Sequence, residues 1–251
     1  GGGGGRKKTG RIRAELGIVV VYIRLAFIVG GMGVWSGLSK RDSPQKIYTF
    51  ISFIIEQGFM LVPLLWFLKS RNEPIFQRLR LNPIASQTVG MTALLSIGLI
   101  VLSDELDRIV QLFVPAPEYI LDLNGLLRPE SFAGFILLFF AVAVIAPLGE
   151  ELLFRGFLQQ FLEKHWKDVT RPILVTALFF ALIHMNPYWF VQIYILGIML
   201  GFLSWKTGSV LPPLILHGMN NSFAMIFSFS EYGDENLYLW SGHVAPWILI
   251  I

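Results

Sequence analysis

Six side chains in the second half of the sequence are of types that move protons and hold charge, and their spacing sorts them into three groups. Glu150, Glu151 and Arg155 lie in "GEELLFRGFL" (149–158), directly after "FAGFILLFFAVAVIAPL" (132–148), which carries no charge. His184 closes "FFALIH" (179–184), and His217 and Asn221 belong to "LILHGMNN" (214–221). On a helix, Glu151 and Arg155 share one face, with the acid N-terminal to the base, the more favourable order. Glu150 is turned about 100° away. The expected division of labour is that Arg155 holds Glu151 while Glu150 stays free, in a desolvated setting that suits a general base. His217 and Asn221 are also four apart. An imidazole and a carboxamide on one stripe can aim two hydrogen bonds at a single point, as stabilising an oxyanion requires. Asn220, about 100° from Asn221, is the weaker candidate. Each group alone has a plainer reading: interfacial carboxylates that snorkel into water, a hydrogen-bonded core histidine, and polar residues that tie membrane helices together.

The elements that must position these groups are apolar helices. The chain has 251 residues, 54% hydrophobic and 15% charged, against about 25% charged in soluble domains. With 21 Phe and recurrent long apolar runs, this reads as an all-α, polytopic transmembrane helical bundle of seven to eight spans. Spans are expected near 16–39, 47–68, 84–103, 131–149, 171–185, 188–205 and 210–230. The fourth should continue as one helix to about Glu163. The acidic connector 104–130 has the turn signals "VPAPE" and "NGLLRPE" and room for a short interfacial helix, "DELDRIVQLF". The expected organisation is a basic, disordered N-terminal tail (1–15), N-terminal spans and connector (16–130), a core carrying the six residues (131–230), and a C-terminal tail with a truncated last helix (231–251). "GGGGGRKKTG" at one end and "HVAPWILII" at the other read as fragment edges.

Ionisable groups at bilayer depth are costly, so Glu150, Glu151, Arg155, His184 and His217 should face a cavity or one another. With the N-terminus in the cytoplasm, thirteen basic residues fall in inner segments and five in outer ones, the bias that sets orientation. A multi-pass integral protein with its N-terminus in the cytoplasm is expected, the bilayer its partner and a prokaryotic plasma membrane its location. The net charge of +3 is no nucleic-acid signal, because the basic residues sit between spans, and the absence of cysteine removes disulfides, thiolate nucleophiles and Cys-based zinc sites. One expectation sits awkwardly: His184 is about 21 Å along its helix from Thr170, nearer the outer face than Glu150 unless the fourth helix is long and tilted.

"EELLFR", "FALIH" and "HGMNN", in that order, resemble the EExxxR, FxxxH and HxxxN motifs of the CPBP family, the CAAX-protease and bacteriocin-processing (Abi) intramembrane endopeptidases. The matching positions are Glu150, Glu151 and Arg155; Phe180 and His184; His217 and Asn221. "GIMLGFLSWKTGSVLPPLILH" also looks like a further stretch shared by that family, and the resemblance covers about residues 131–225. It implies hydrolysis of a peptide bond in a membrane-associated or prenylated peptide or protein. Glu150, helped by His184, would activate water, His217 and Asn221 would hold the oxyanion, and Glu151 with Arg155 would steady the helix and tune His184.

No cofactor is expected to be required. Nothing resembles HExxH, while a divalent metal such as zinc stays open, with Glu150, His184 and His217 as three ligands and one free position. The alternatives are a non-catalytic membrane scaffold or immunity protein of the same fold, and a proton-coupled transporter, against which the lack of an inverted repeat argues. Glu56 and Gln57 read as helix–helix contacts, Arg24 as a snorkelling residue or partner of an acid, Gly30, Gly33 and Gly37 as points of close helix approach, and His165 and His243 as surface residues. Trp35, Trp66, Trp189 and Trp205 fit interfacial belts.

Overall fold

The computed structural model describes residues 17, 61–117, 131–229 and 237–250. The expected first span, Arg24, Gly30, Gly33, Trp35, Gly37, Glu56 and Gln57 lie outside the described residues. The chain divides into two compact units, 1–75 and 76–251. In the first, helix α1 (Leu61–Ser70) ends in a turn closed by the Glu73 amide on the Leu68 carbonyl, with Asn72 in the left-handed conformation.

In the second unit, the short helix α2 (Ile75–Arg78) leads to α3 (Ser86–Phe113). Helix α3 has 28 residues, about 42 Å at 1.5 Å per residue, enough to cross a bilayer and project beyond it. The acidic run from Asp104 continues this helix; the separate interfacial helix expected there does not form, since nothing between Ser103 and Phe113 breaks the backbone pattern. Helix α4 (Phe132–Trp166) runs unbroken for 35 residues, capped at its start by Ser131, whose hydroxyl accepts the Gly134 amide, and closed by Lys167 in the left-handed conformation. It is followed by α5 (Thr170–Ile183), α6 (Phe190–Thr207) and α7 (Leu211–Phe229). The connections are short and have local causes. The Asp168 carboxylate accepts the Val169 and Thr170 amides, Asn186 accepts those of Tyr188 and Trp189, and Ser209 accepts that of Leu211. Asp168 and Ser209 thus satisfy the first amides of α5 and α7, while Asn186 closes the turn that leads into α6.

By length and composition, α3, α4 and α6 can each cross a membrane, while α1 and α5 are shorter apolar helices. Large apolar side chains face outward along them, among them Leu94, Phe140, Leu182 and Ile195, as lipid contact permits and water penalises. Five of the seven expected spans fall within the described residues, and three helices there are long and apolar enough to cross a membrane; α5, with 14 residues, is shorter than the span expected at 171–185. The protein is an integral membrane protein.

A hairpin, β1 (Leu239–Trp240) with β2 (His243–Val244), and helix α8 (Pro246–Leu249) follow. Ser241 and Gly242 both have positive φ at the turn, the requirement of a tight two-residue hairpin. The hairpin docks on the acidic end of α3: Glu105 accepts the Val244 amide at 2.7 Å and pairs with His243 Nδ1 at 2.8 Å, and the Tyr238 hydroxyl donates to Asp104. Burial, and then the Asp104 carboxylate, push the Tyr238 phenol up. His243 is therefore a paired, half-exposed residue and not a plain surface one. His165 is exposed, as expected.

Candidate active site

The middle of α4 is irregular where the carboxylates sit. Two π-helical stretches, Ala141–Ile145 and Leu152–Gln159, flank one α-helical turn, Ala146–Glu151. Such wide turns cluster at functional sites, and Pro147 supplies a cause for the first. The Ala146 amide bonds the Ala141 carbonyl in the π register. In that register the Val142 carbonyl would take the amide of residue 147, and proline has none. Asn221 of α7 fills the place: its Nδ2 donates to the Val142 oxygen at 2.9 Å. Gly218, one turn before, lies so close to the widened turn that a Cβ there would be 2.9 Å from the Ala143 oxygen. The turn bearing Glu150 and Glu151 is thereby held against α7.

Glu151 is 1% exposed and Arg155 fully buried. Glu151 Oε1 receives Arg155 Nη1 at 2.7 Å and His217 Nδ1 at 2.8 Å. Arg155 also donates to the Gly197 carbonyl of α6 and lies over the Phe180 ring, 4.3 Å from its centroid. The same ring meets His184 and His217 edge-on, at 4.8 and 5.5 Å, so Phe180 packs between base and both imidazoles. The expectation that Glu151 tunes His184 changes accordingly: the carboxylate grips His217. His184 instead bonds through Nδ1 to the Phe180 carbonyl at 2.7 Å, one helical turn back.

With both Nδ1 atoms engaged on acceptors, both Nε2 atoms are turned to one place. His184 Nε2 is 3.9 Å and His217 Nε2 3.8 Å from Glu150 Oε2. That oxygen is buried and has no protein hydrogen-bond partner among the described residues. The separations are too long for direct hydrogen bonds and suit a water held between the three groups. His184 is the more open side, its side chain 30% exposed against 3% for His217.

The structure thus brings Glu150, Glu151, Arg155, His184 and His217 together and sets Asn221 one turn along α7. The axial puzzle dissolves because α4 runs well past Glu150. Glu150 is 16 residues, about 24 Å, from Trp166, and His184 is 14 residues, about 21 Å, from Thr170, so the two are level. The sequence reading missed Pro147, whose place in "IAPLGEE" signals a broken ladder just before the carboxylates, and Gln159 and Glu163, which continue the spacing of Glu151 and Arg155. Zinc would need ligands at about 2.0–2.2 Å; among the described residues, no three His, Asp or Glu side chains are arranged to hold a metal ion.

Comparison with known proteins adds to this geometry. Over 158 residues, 61% of this chain and 68% of the other, the sequence is 25% identical to an uncharacterized 24.3 kDa protein of Escherichia coli. No solved structure matches. Residues 132–223, from the start of α4 to Phe223 in α7, match the family described as type II CAAX prenyl endopeptidase Rce1-like. The helices that gather Glu150, His184 and His217 are thus the part of the chain that is similar to the CPBP family of CAAX proteases.

Proposed function

We propose that this protein is an intramembrane endopeptidase that hydrolyses a peptide bond in a membrane-associated or prenylated peptide or protein. The observation that carries the reading is the convergence of both histidine Nε2 atoms on the unpartnered Glu150 Oε2, inside a domain that matches a prenyl endopeptidase family. A water between these groups donates one proton to Glu150 while its oxygen attacks the scissile carbonyl carbon, forming the new C–O bond. His184, on the open side, orients the water and relays the proton to the leaving amine as the C–N bond breaks. His217, whose Nε2 faces Glu150 Oε2, and the second Asn221 N–H stabilise the oxyanion. Bonding to Val142 fixes which way that amide faces. Glu151 and Arg155 act as positioning residues for His217.

The reaction proposed requires no metal. In keeping with the basic-residue bias, we place the N-terminus in the cytoplasm, and we propose a prokaryotic plasma membrane as the location.

The test is cleavage of membrane-anchored peptides, prenylated and unprenylated, by purified protein with and without a chelator. Glu150→Gln and His184→Ala should each lower kcat at least about 100-fold, the usual contribution of a positioned acid–base group, and the chelator should change nothing. Variants that cut as well as the wild type would overturn the site, and chelator-sensitive cleavage would overturn the metal-free mechanism.

A further inference from the structure

Below the reactive cluster, α4 carries an acid, a base, an amide and an acid at strict four-residue spacing: Glu151, Arg155, Gln159 and Glu163. This puts all four on one helical stripe. The first three are at most 1% exposed, and the Glu163 side chain is 12% exposed. Neighbours are joined by hydrogen bonds, Arg155 to Glu151 and Gln159 to Glu163. Helix α6 faces the stripe with backbone carbonyls: Gly197 takes Arg155 and Gly201 takes Gln159, at 3.1 and 2.9 Å. The far end closes on Arg80, which pairs with Glu163 and reaches the Ser204 hydroxyl. Beyond it, Lys164, His165 and Trp166 are exposed. The proposed chemistry uses only the top of this ladder.

Protein contacts leave the ladder incomplete. Glu151 Oε2, Arg155 Nε, Gln159 Oε1 and, on α5, Thr176 Oγ1 are each buried without a hydrogen-bond partner among the described residues. Thr176 is within a turn of Ile173, Ala177 and Phe180, which border Gly201, Gly197 and Arg155 respectively. Buried polar groups in folded proteins are satisfied, and where protein offers no partner, ordered water does so. The unmet demands alternate in kind: carboxylate and amide oxygens accept, the guanidinium N–H donates and the hydroxyl does both. A bound cation would meet the guanidinium unfavourably and an anion the carboxylate. Water alone serves every group. Gly201 approaches closely, since a Cβ there would lie 3.0 Å from Gln159 Oε1.

We propose that a file of buried water molecules lines this ladder from Glu151 to the Arg80–Glu163 pair, an internal route for water and protons between the reactive cluster and the basic end of the domain. The route stands whether or not the protein is a protease; if it is, the route replaces the water each hydrolysis consumes. The test is hydroxyl-radical labelling of the whole chain in lipid nanodiscs. A brief X-ray pulse generates radicals from water in place, and mass spectrometry reads oxidation at each residue. Ile173, beside Gly201, and Phe154, edge-on to Phe180, should oxidise several-fold faster, after correction for intrinsic reactivity and exposure, than Leu138 and Leu153, which are also buried. Gln159→Leu combined with Thr176→Val should abolish the excess. Equal rates in the wild-type protein, a comparison that no folding defect can confuse, would overturn the proposal. So would an excess that persists in the folded double variant. Labelling as expected in a protein that cleaves nothing would leave the water route standing and remove the protease reading alone.

Discussion

At the scale of single residues, one oxygen organises the site. Glu151 Oε1 receives a guanidinium and an imidazole at once, so removing that carboxylate strands two buried donors. Breaking a buried charge pair from one side costs about 3–5 kcal/mol. Glu151→Ala should therefore lower stability by roughly that amount in thermal or denaturant unfolding in detergent, and should abolish cleavage. Glu150→Ala should differ: Glu150 Oε2 has no hydrogen-bond partner among the described residues, so the variant should lose activity while unfolding within about 1 kcal/mol of wild type, as changes outside the strongly destabilising mechanisms do. Equal destabilisation by the two substitutions would contradict this assignment. Residue type and spacing singled out the six candidate residues, and the structure brings Glu150, Glu151, Arg155, His184 and His217 together. Their pairing was legible only for Glu151 with Arg155, since an i,i+4 contact is set by helix geometry. That Glu151 also meets His217, 66 residues away, is decided by helix packing.

At the scale of elements, α4 carries the argument. Its length follows from its apolar run and from the absence of a break before Lys167, and the sequence foretold both. Its irregularity around Pro147 was written in the sequence and went unread, because a proline in a long apolar helix is tolerated when a neighbour satisfies the freed carbonyl, and that neighbour, Asn221, is on another helix. Gly156 shows a related dependence. A Cβ at this position would stand 2.6 Å from the Leu79 carbonyl oxygen, a backbone atom that cannot swing aside, so the segment before α3 and helix α4 approach as only glycine allows. Gly156→Ala should lower stability by about 1–3 kcal/mol, the range for overpacking. Gly90→Ala in α3, where nothing lies within 4 Å, should leave the unfolding midpoint unchanged or slightly raised. A harmless Gly156→Ala would mean that the two segments are not packed in this way.

At the scale of the whole molecule, the contacts within residues 76–251 group the connecting segments into two sets. Arg80 pairs with Glu163 and its carbonyl receives the Val210 amide, while Asn82 bonds the Gly208 carbonyl and Ser209 bonds the Asn82 carbonyl. The basic segments before α3, after α4 and after α6 thus share one end. The other set joins the acidic end of α3 to the hairpin at 237–244 and, through Ser103, to Gln192 near the start of α6. The connecting segments thus alternate between the two ends along α3 to α7. Because the chain has no cysteine, single replacements report sidedness without background. With the basic end in the cytoplasm, Leu237→Cys should react with a membrane-impermeant thiol reagent on intact cells, and Lys167→Cys only after permeabilisation. The reverse pattern would invert the orientation, and labelling of both from outside would contradict the alternation.

The sequence by itself determined that the chain is helical and membrane-embedded, because apolar run length, scarce charge and i,i+4 spacing are local properties that helix geometry turns directly into spans and faces. It also singled out the residues proposed to hold the chemistry, since ionisable groups inside apolar runs stand out by their cost. The tertiary structure alone decided that Glu150 and His184 lie at one level, that Glu151 serves His217, that Asn221 is tied to a proline-widened turn, and that Gln159 and Glu163 extend the polar stripe through the domain. Each of these depends on the axial offset and rotation between helices far apart in sequence. Those quantities are set by close packing at positions such as Gly156, Gly201 and Gly218, where the absent side chain signals nothing until the neighbouring helix is in place.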